Sequence, residues 1–401
     1  MTQTSPAAAA NLMDRTIFGE DREMPVFDEI RSTDPVFWNP PSEDGPGFWA
    51  LTRYADVKAA ATDHVRLSSA DGTQIVDRKV EGKLASLHNM DDPEHAKLRK
   101  ITISHLRAVK IKNWQDAIDE SVATLLDAAE GQDGPVEVVH AISAQLPMLV
   151  LARVLGVPAE DGPKMVDWTN RLTSSDPSDA VNEGELAVAR EEVMAYFKEL
   201  TEARRREPQD DLISVLVQGK KDGELLTWEE LAAYIILLVA AGNETTRHTL
   251  SGGMMLFAEH PESWQRIVKD PELLPAATEE ILRWVTAVAA MRRTALEPMT
   301  IGDKQIVAGD KVVLWFSAAN RDPEVFENPH DFVIDRTPND HLSFGWGVHF
   351  CLGAHLARAE ITSFFAEAAR RGLRFELAGD PVRHDYNIFR GWTQLPMRLV
   401  K

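Results

Sequence analysis

The chain has 401 residues, of which 44% are hydrophobic and 26% charged, and 43 Lys and Arg against 63 Asp and Glu give a formal net charge of −20. That composition supports a sizeable core and excludes a disordered chain, while the acidic excess argues against a protein whose main work is gripping nucleic-acid phosphates. The single cysteine, Cys351, rules out an intramolecular disulfide and a multi-cysteine zinc site. The start of the chain lacks the basic segment and long apolar run of a signal peptide. The longest apolar runs, around Tyr234 to Gly242 and Leu146 to Leu155, fall short of the roughly 18 residues that cross a bilayer, so a cytoplasmic chain with no membrane anchor is expected.

In chain order, Val36-Phe37-Trp38 and Phe48-Trp49-Ala50-Leu51-Thr52, separated by the Pro/Gly-rich stretch from Pro40 to Gly47, predict the strands of a small sheet. From Pro93 to about Arg283 apolar residues recur with a helical period, broken at Asp133-Gly134-Pro135 and Gly162-Pro163. Thr227-Trp228-Glu229-Glu230 reads as a capping box opening a helix that runs without proline to about His260. At 1.5 Å per residue such a helix is roughly 50 Å long, enough to traverse a domain. Met299-Thr300-Ile301 and Gln305-Ile306-Val307 flank Gly302-Asp303-Lys304 as a hairpin, and Val312 to Trp315 predicts a buried strand. Residues 320–341 read as a long irregular segment, and a last long helix starts just after Cys351 and reaches about Arg371. The expectation is a mainly α protein with small β-sheets, one domain over 1–401, β-rich over about 30–90 and helical over about 91–290.

The segment Phe344-Gly345-Trp346-Gly347-Val348-His349-Phe350-Cys351-Leu352-Gly353 sets the one thiol in a glycine-rich loop at a helix start. Backbone amides and the helix dipole there favour thiolate, which predicts a lowered pKa. A lone thiolate suits the axial position of haem iron; the plainer reading is a buried cysteine acting as a small hydrophobe. In the long helix, Ala241-Gly242-Asn243-Glu244-Thr245-Thr246 places a glycine, an acid and two β-branched hydroxyl residues where propensity disfavours them. Either Glu244 sits in solvent, or Thr245 bonds a carbonyl one turn back and bends the helix beside a pocket.

Phe344, Gly347, Cys351 and Gly353 fill the pattern Phe-x-x-Gly-x-x-x-Cys-x-Gly, and on that motif the chain resembles the cytochromes P450, over nearly its whole length. The resemblance implies that fold, with haem b between the long central helix and the cysteine loop over residues 344–353. Cys351 is then the iron ligand, with Phe344 beside its sulfur and Gly345 and Gly353 in the haem-binding loop. Glu244 and Thr245 become the acid and alcohol that deliver protons for dioxygen activation. Glu280 and Arg283, in Glu-x-x-Arg, are implied to pair with Arg336 in a structural role. Arg293, His349, His95 and Arg99 are implied to hold the haem propionates, with Arg292 the alternative to Arg293. Leu237, Ala240, Ala241, Val288, Ile388 and Phe389 would line an apolar substrate pocket closed by segments 68–87 and 168–180. Ala287 stands where the family often has proline.

The implied activity is monooxygenation, hydroxylating a small apolar molecule such as a terpenoid, steroid, fatty acyl or alkyl-aromatic compound with O2. Electrons are expected from NAD(P)H through a separate ferredoxin reductase and an acidic [2Fe–2S] ferredoxin. The ferredoxin would dock on a monomer at Lys97, Lys100, Arg107, Lys110, Lys112 and Arg358 despite the net charge of −20. A peroxide-driven peroxygenase and a non-enzymatic thiolate-haem sensor are the alternatives; the Glu244–Thr245 pair speaks against the first and serves no purpose in the second.

Overall fold

The computed structural model describes residues 11–77, 86–173 and 183–401. Its axis is the helix Trp228–Glu259, opened by the capping box read from the sequence: Thr227 Oγ1 accepts from the Glu230 amide at 3.2 Å and the Glu230 carboxylate accepts from the Thr227 amide at 3.0 Å. The helix stops at His260, immediately before Pro261, which cannot continue an i→i−4 ladder. Near its end Gly252 and Gly253 let two neighbours approach: a Cβ on Gly252 would stand 2.6 Å from Val285, and one on Gly253 2.6 Å from Phe365. The helices Leu274–Val285 and Ala354–Arg370 therefore pack directly on the central one, and helix Gln145–Leu155 lies against it too. One large apolar cluster gathers the inward faces of these helices, with Leu146, Val239, Met254, Phe257, Ile281 and Phe364 among its members.

The largest sheet has five strands in the order Val36–Asn39, Phe48–Leu51, Lys311–Trp315, Ala290–Ala295, Leu67–Ser68. Phe48–Leu51 and Lys311–Trp315 run parallel and the other pairs antiparallel. The run Val312-Val313-Leu314-Trp315 is apolar at every position because both faces are covered. Val313 and Trp315 join Phe27 and Ile30 of helix Glu23–Thr33, while Val312 and Leu314 join Val57 and Ala61 of helix Tyr54–Thr62. This corrects the β-rich expectation for 30–90. Among its described residues that region contributes three short strands, carries a helix of its own, and needs residues 290–315 to complete its sheet. The early helices Arg15–Gly19 and Glu23–Thr33 were likewise not foreseen.

The hairpin Met299–Ile301 with Lys304–Ile306 forms as expected, with Gly302 at φ 58°. The irregular stretch 320–341 is irregular indeed, and several of its carbonyls find donors in two arginines. Arg283 holds Glu280 at 2.7 and 2.8 Å and also donates to the carbonyls of Asn320, Pro329 and Asp331. Arg336 reaches the same Glu280 at 3.1 Å and donates to the carbonyls of Glu327 and Asn328. Polar backbone that leaves regular structure inside a protein must be satisfied in some such way. Of the two segments expected to close a pocket, residues 78–85 and 174–180 lie outside the described residues.

Candidate functional site

The cysteine loop is built by short-range contacts. The Cys351 amide donates to the Phe344 carbonyl at 2.9 Å, closing the loop, and Phe350 N donates to Gly347 O at 3.1 Å. Gly347 has φ 73°, and a Cβ there would lie 2.5 Å from the Ala61 carbonyl oxygen, so only glycine lets the loop rest on helix Tyr54–Thr62. Helix Ala354–Arg370 begins directly afterwards with Gly353 as its N-cap residue, and a Cβ on Gly353 would meet nothing within 4 Å. The Cys351 side chain is accessible although the protein surrounds it, so it faces inward open space.

The expected lowering of the thiol pKa does not occur. Burial pushes Cys351 up, and the Gly353 amide with the charges of Arg99 and Arg358 offsets this only in part. Desolvation outweighs the loop's dipoles, and a bound metal cation is what would strip the proton. Arg358 spans Glu279 with two hydrogen bonds of 2.6 and 2.8 Å and lies 4.5 Å above the Phe344 ring. Burial works against the Glu279 carboxylate, yet Arg358 and His341 hold it down at about 2.

Beside the thiol stands a rim of cations and imidazoles. Arg99, on helix Glu94–Thr102, donates to the Phe350 carbonyl and feels both the Cys351 thiol and Tyr234 of the central helix, whose hydroxyl meets Thr102 Oγ1 at 2.5 Å. Arg99 thus lies between the helix and the loop. His95 packs its ring 4.3 Å from that of His349, which contacts Ser69 Oγ at 3.3 Å; His95 Nδ1 contacts Asp92 at 3.2 Å, and its Nε2 is buried with no partner among the described residues. Arg293 is 6% exposed and donates to the Arg292 carbonyl, with burial pulling its pKa down to about 10. Burial and the charges of Arg293 and Arg99 hold His349 neutral, at about 3. Arg292 instead is taken up by Asp77 and the carbonyls of Asp71 and Gln74.

Among the described residues neither Arg99 nor Arg293 has a carboxylate at ion-pair distance. Two unneutralised guanidinium groups and an orphaned imidazole nitrogen are a costly arrangement unless an anion comes to them. A porphyrin carrying two carboxylates and an iron that takes the thiolate fits this donor set.

On the other side, the middle of the central helix turns small residues outward. Ala240 and Ala241 are exposed, although the neighbouring turns at Ile235 and Leu250 are fully buried. Thr245 Oγ1 donates to the Ala241 carbonyl at 3.2 Å, as expected, and the helix continues unbroken. Glu244 is not in solvent. Its side chain is 16% exposed, with His248 and His384 each 3.9 Å away, and although burial opposes ionisation, those rings and Arg247 hold its pKa below the usual carboxylate value.

After the helix Leu274–Val285, Thr286 turns left-handed at φ 44° and the chain runs alongside its own C-terminal segment. Ala289 N donates to Ile388 O at 2.7 Å and Arg390 N to Ala287 O at 2.9 Å, with Val288 bridged to Phe389. Val288, Phe389 and Leu237 keep part of their surface accessible. Ile388 does not: it is 2% exposed and packed in the cluster of Phe18, Phe27 and Trp315, because alternate residues of an extended segment face opposite ways. The pocket expectation is corrected there.

An inward-facing lone thiol, an anion-seeking rim and an alanine-faced helix carrying an acid and an alcohol define a haem-thiolate protein. The chain belongs to the cytochrome P450 family, whose profile, described as Cytochrome P450, matches residues 47–377. It is 35% identical over 383 residues to a "Steroid C26-monooxygenase" of Rhodococcus jostii (strain RHA1), covering 92% of this chain and 80% of that one. A "Methyl-branched lipid omega-hydroxylase" of Mycobacterium bovis is 35% identical over 386 residues, with 93% and 90% covered. Among solved structures, the Mycobacterium marinum cytochrome P450 CYP268A2 in complex with pseudoionone superposes with a TM-score of 0.89 at 31% identity over 99% of each chain. The protein is a cytochrome P450 monooxygenase whose cofactor is haem b. No described helix is long and apolar enough to cross a membrane.

Reading the sequence alone missed Tyr234 with Thr102, Glu279 with Arg358, and His248 with His384. His248, one turn after Glu244, carried a signal in its spacing; His384 carried none.

Proposed function

We propose that this P450 hydroxylates an extended apolar molecule of the steroid or methyl-branched lipid class. One atom of O2 enters a C–H bond, and the other leaves as water with two electrons and two protons. The carrying observation is the wall itself: exposed Ala240 and Ala241, with partly accessible Leu237, Val288 and Phe389, offer apolar surface beside Glu244 and Thr245 and no charged group of their own. Relatives named for steroid and branched-lipid oxidation support the same class.

When bound, haem supplies the oxygen-activating chemistry, and the protein supplies position and protons. Cys351 gives its sulfur to the iron, with Phe344, Gly345 and Gly353 shaping the loop. Arg293, Arg99, His95 and His349 receive the propionates, and Glu280, Arg283 and Arg336 hold the chain beneath. Glu244, ionised and partly open, takes up a proton and passes it toward Thr245, whose hydroxyl orients it over the pocket. Such general acid assistance is worth about 10²- to 10⁴-fold. The pair favours dioxygen with external electrons over peroxide.

Electrons come from NAD(P)H through ferredoxin reductase and a [2Fe–2S] ferredoxin, in a cytoplasmic, monomeric, single-domain enzyme. Lys100, Arg107 and Lys112 are exposed and, among the described residues, in no ion pair, so they are the core of the docking patch; Lys97 and Arg358 are engaged with Glu94, Asp222 and Glu279. The test is spectral titration of the ferric enzyme with a side-chain-bearing steroid, a methyl-branched fatty acid and a short aromatic. A low-spin to high-spin change with either of the first two, followed by coupled product, is expected. Response to the aromatic alone would overturn the substrate class.

A further inference from the structure

We propose that Glu244, His248 and His384 form a binding site for a divalent transition-metal ion of the zinc class, set against the oxygen-side turn of the central helix. The three come together from two parts of the chain. Glu244 and His248 stand one turn apart, on one face of the helix. His384 follows the short strand Val382–Arg383, and its amide donates to the Gly391 carbonyl at 3.0 Å. Both imidazole Nε2 atoms lie 3.9 Å from the same Glu244 oxygen, and the possible ligand atoms all lie within 4.8 Å of one another. Ligands on bonds of about 2.0–2.1 Å in a tetrahedron are about 3.4 Å apart. Closing the two nitrogen–oxygen gaps therefore needs about half an ångström each, within the reach of side-chain torsions.

The polar inventory points the same way. His248 is 2% exposed, and neither of its ring nitrogens has a hydrogen-bond partner among the described residues. A contact of 3.9 Å is too long to be one. Burying an imidazole with both nitrogens unsatisfied is costly, and a metal ion converts that liability into a bond. The fold also makes room for this ring: a Cβ on Gly391 would collide with it. The rings of His248 and His384 are perpendicular, 5.6 Å between centroids, so their nitrogens converge instead of stacking.

Protonation states suit ligation. Burial and the neighbouring His248 hold His384 at about 4, so it is the neutral, ligating imidazole at pH 7. Burial opposes ionisation of Glu244, yet its pKa lies below the usual carboxylate value, with His248 the main opposing cause and Arg247 a smaller one. Two imidazoles and one carboxylate with a fourth position open is a zinc-type donor set and not a magnesium or calcium one. The partial exposure of Glu244 supplies the way in. Arg247 beside Glu244 and Arg15 beside Asp385 add positive charge nearby, which tempers the affinity. A metal here takes the Glu244 carboxylate out of proton traffic, so its binding throttles oxygen activation; that consequence rests on the role given to Glu244 above, whereas the site itself does not.

Ferric holoenzyme stripped with a chelator and titrated with Zn2+ against a chromophoric competitor should bind one equivalent. X-ray absorption at the zinc edge should show two imidazoles and a carboxylate at about 2.0–2.2 Å. His384→Ala and His248→Ala should each weaken binding at least as much as loss of an outer-sphere partner does, about 10–100-fold. The reduced carbon monoxide spectrum verifies that each variant is folded. A wild-type enzyme that takes up no zinc, a bound zinc lacking two imidazoles, or unchanged affinity in a His384→Ala protein with a normal spectrum would each overturn the site. An enzyme that hydroxylates its substrate yet ignores zinc sinks the metal site alone and leaves the proposed function standing.

Discussion

The two sides of the haem slot are built on opposite principles. Around Cys351 the polypeptide closes on itself within a few residues, through the Cys351 amide on Phe344 and the Phe350 amide on Gly347, and glycine supplies the close approach to Ala61. Around Glu244 one partner comes from the next helical turn and the other from the end of the chain, brought there by a segment laced to residues 287–289. A local device leaves a dense motif in the sequence. A device assembled from distant segments leaves an acid in an unexpected place and little else.

The largest effect is expected at the thiol. Cys351→Ala should abolish the strongly red-shifted Soret band of the reduced carbon monoxide complex and all monooxygenase turnover; a variant keeping that band would show that another residue ligates the iron.

Below the loop, Glu280 and Arg283 have side chains with 0% exposure, and Arg336 shares the carboxylate. Glu280→Gln should strand two guanidinium groups and destabilise the holoenzyme by on the order of 3–5 kcal/mol. Thermal unfolding followed by Soret absorbance reads this directly, and an unchanged midpoint would remove the irregular segment from the list of charge-dependent parts.

On the other side the loss should be functional, not structural. Thr245→Ala is expected to retain haem, fold and substrate affinity while product formation falls about 10²-fold or more and reducing equivalents emerge as peroxide. Full coupling in the variant would separate Thr245 from proton delivery.

The smallest effect sharpens the contrast through pH. Glu360, on the helix that follows the cysteine loop, is buried, has an oxygen without a partner among the described residues, and is pushed up by burial to about 8. The folded chain therefore keeps this carboxyl protonated at pH values where the unfolded chain has lost the proton. Stability from this group declines as pH rises from about 4.5 toward 8, then levels off. Glu360→Gln should be neutral at pH 5 and stabilising by on the order of 1–3 kcal/mol at pH 8. Equal unfolding midpoints at both pH values would place a cation beside it.

Much of the helical framework was legible because capping and periodicity are local. Thr227 and Glu230 marked the start of the central helix, the proline-free run to about His260 its extent, and the loop ending at Cys351 the start of the last long helix. The five-stranded sheet was not, since strands at 36–51 and 67–68 are completed by strands at 290–315 and period-2 patterns carry no information on partners. The different engagement of Arg292, bonded to Asp77, and of Arg293, bonded to the Arg292 carbonyl, was likewise not written in the two adjacent arginines.

By itself the sequence determined the one possible thiolate, the glycine spacing that exposes it, the acid–alcohol pair and the helices that carry them, because each is written in residues a turn or a loop apart. Only the tertiary structure decided the protonation of those groups and the company they keep. Burial raised the Cys351 thiol against its own loop's dipoles and hid Ile388, and packing left Arg99 and Arg293 without an ion-pair partner among the described residues and brought His384 to Glu244. Desolvation depends on everything packed around a group, and that neighbourhood is assembled from segments that sequence proximity does not relate.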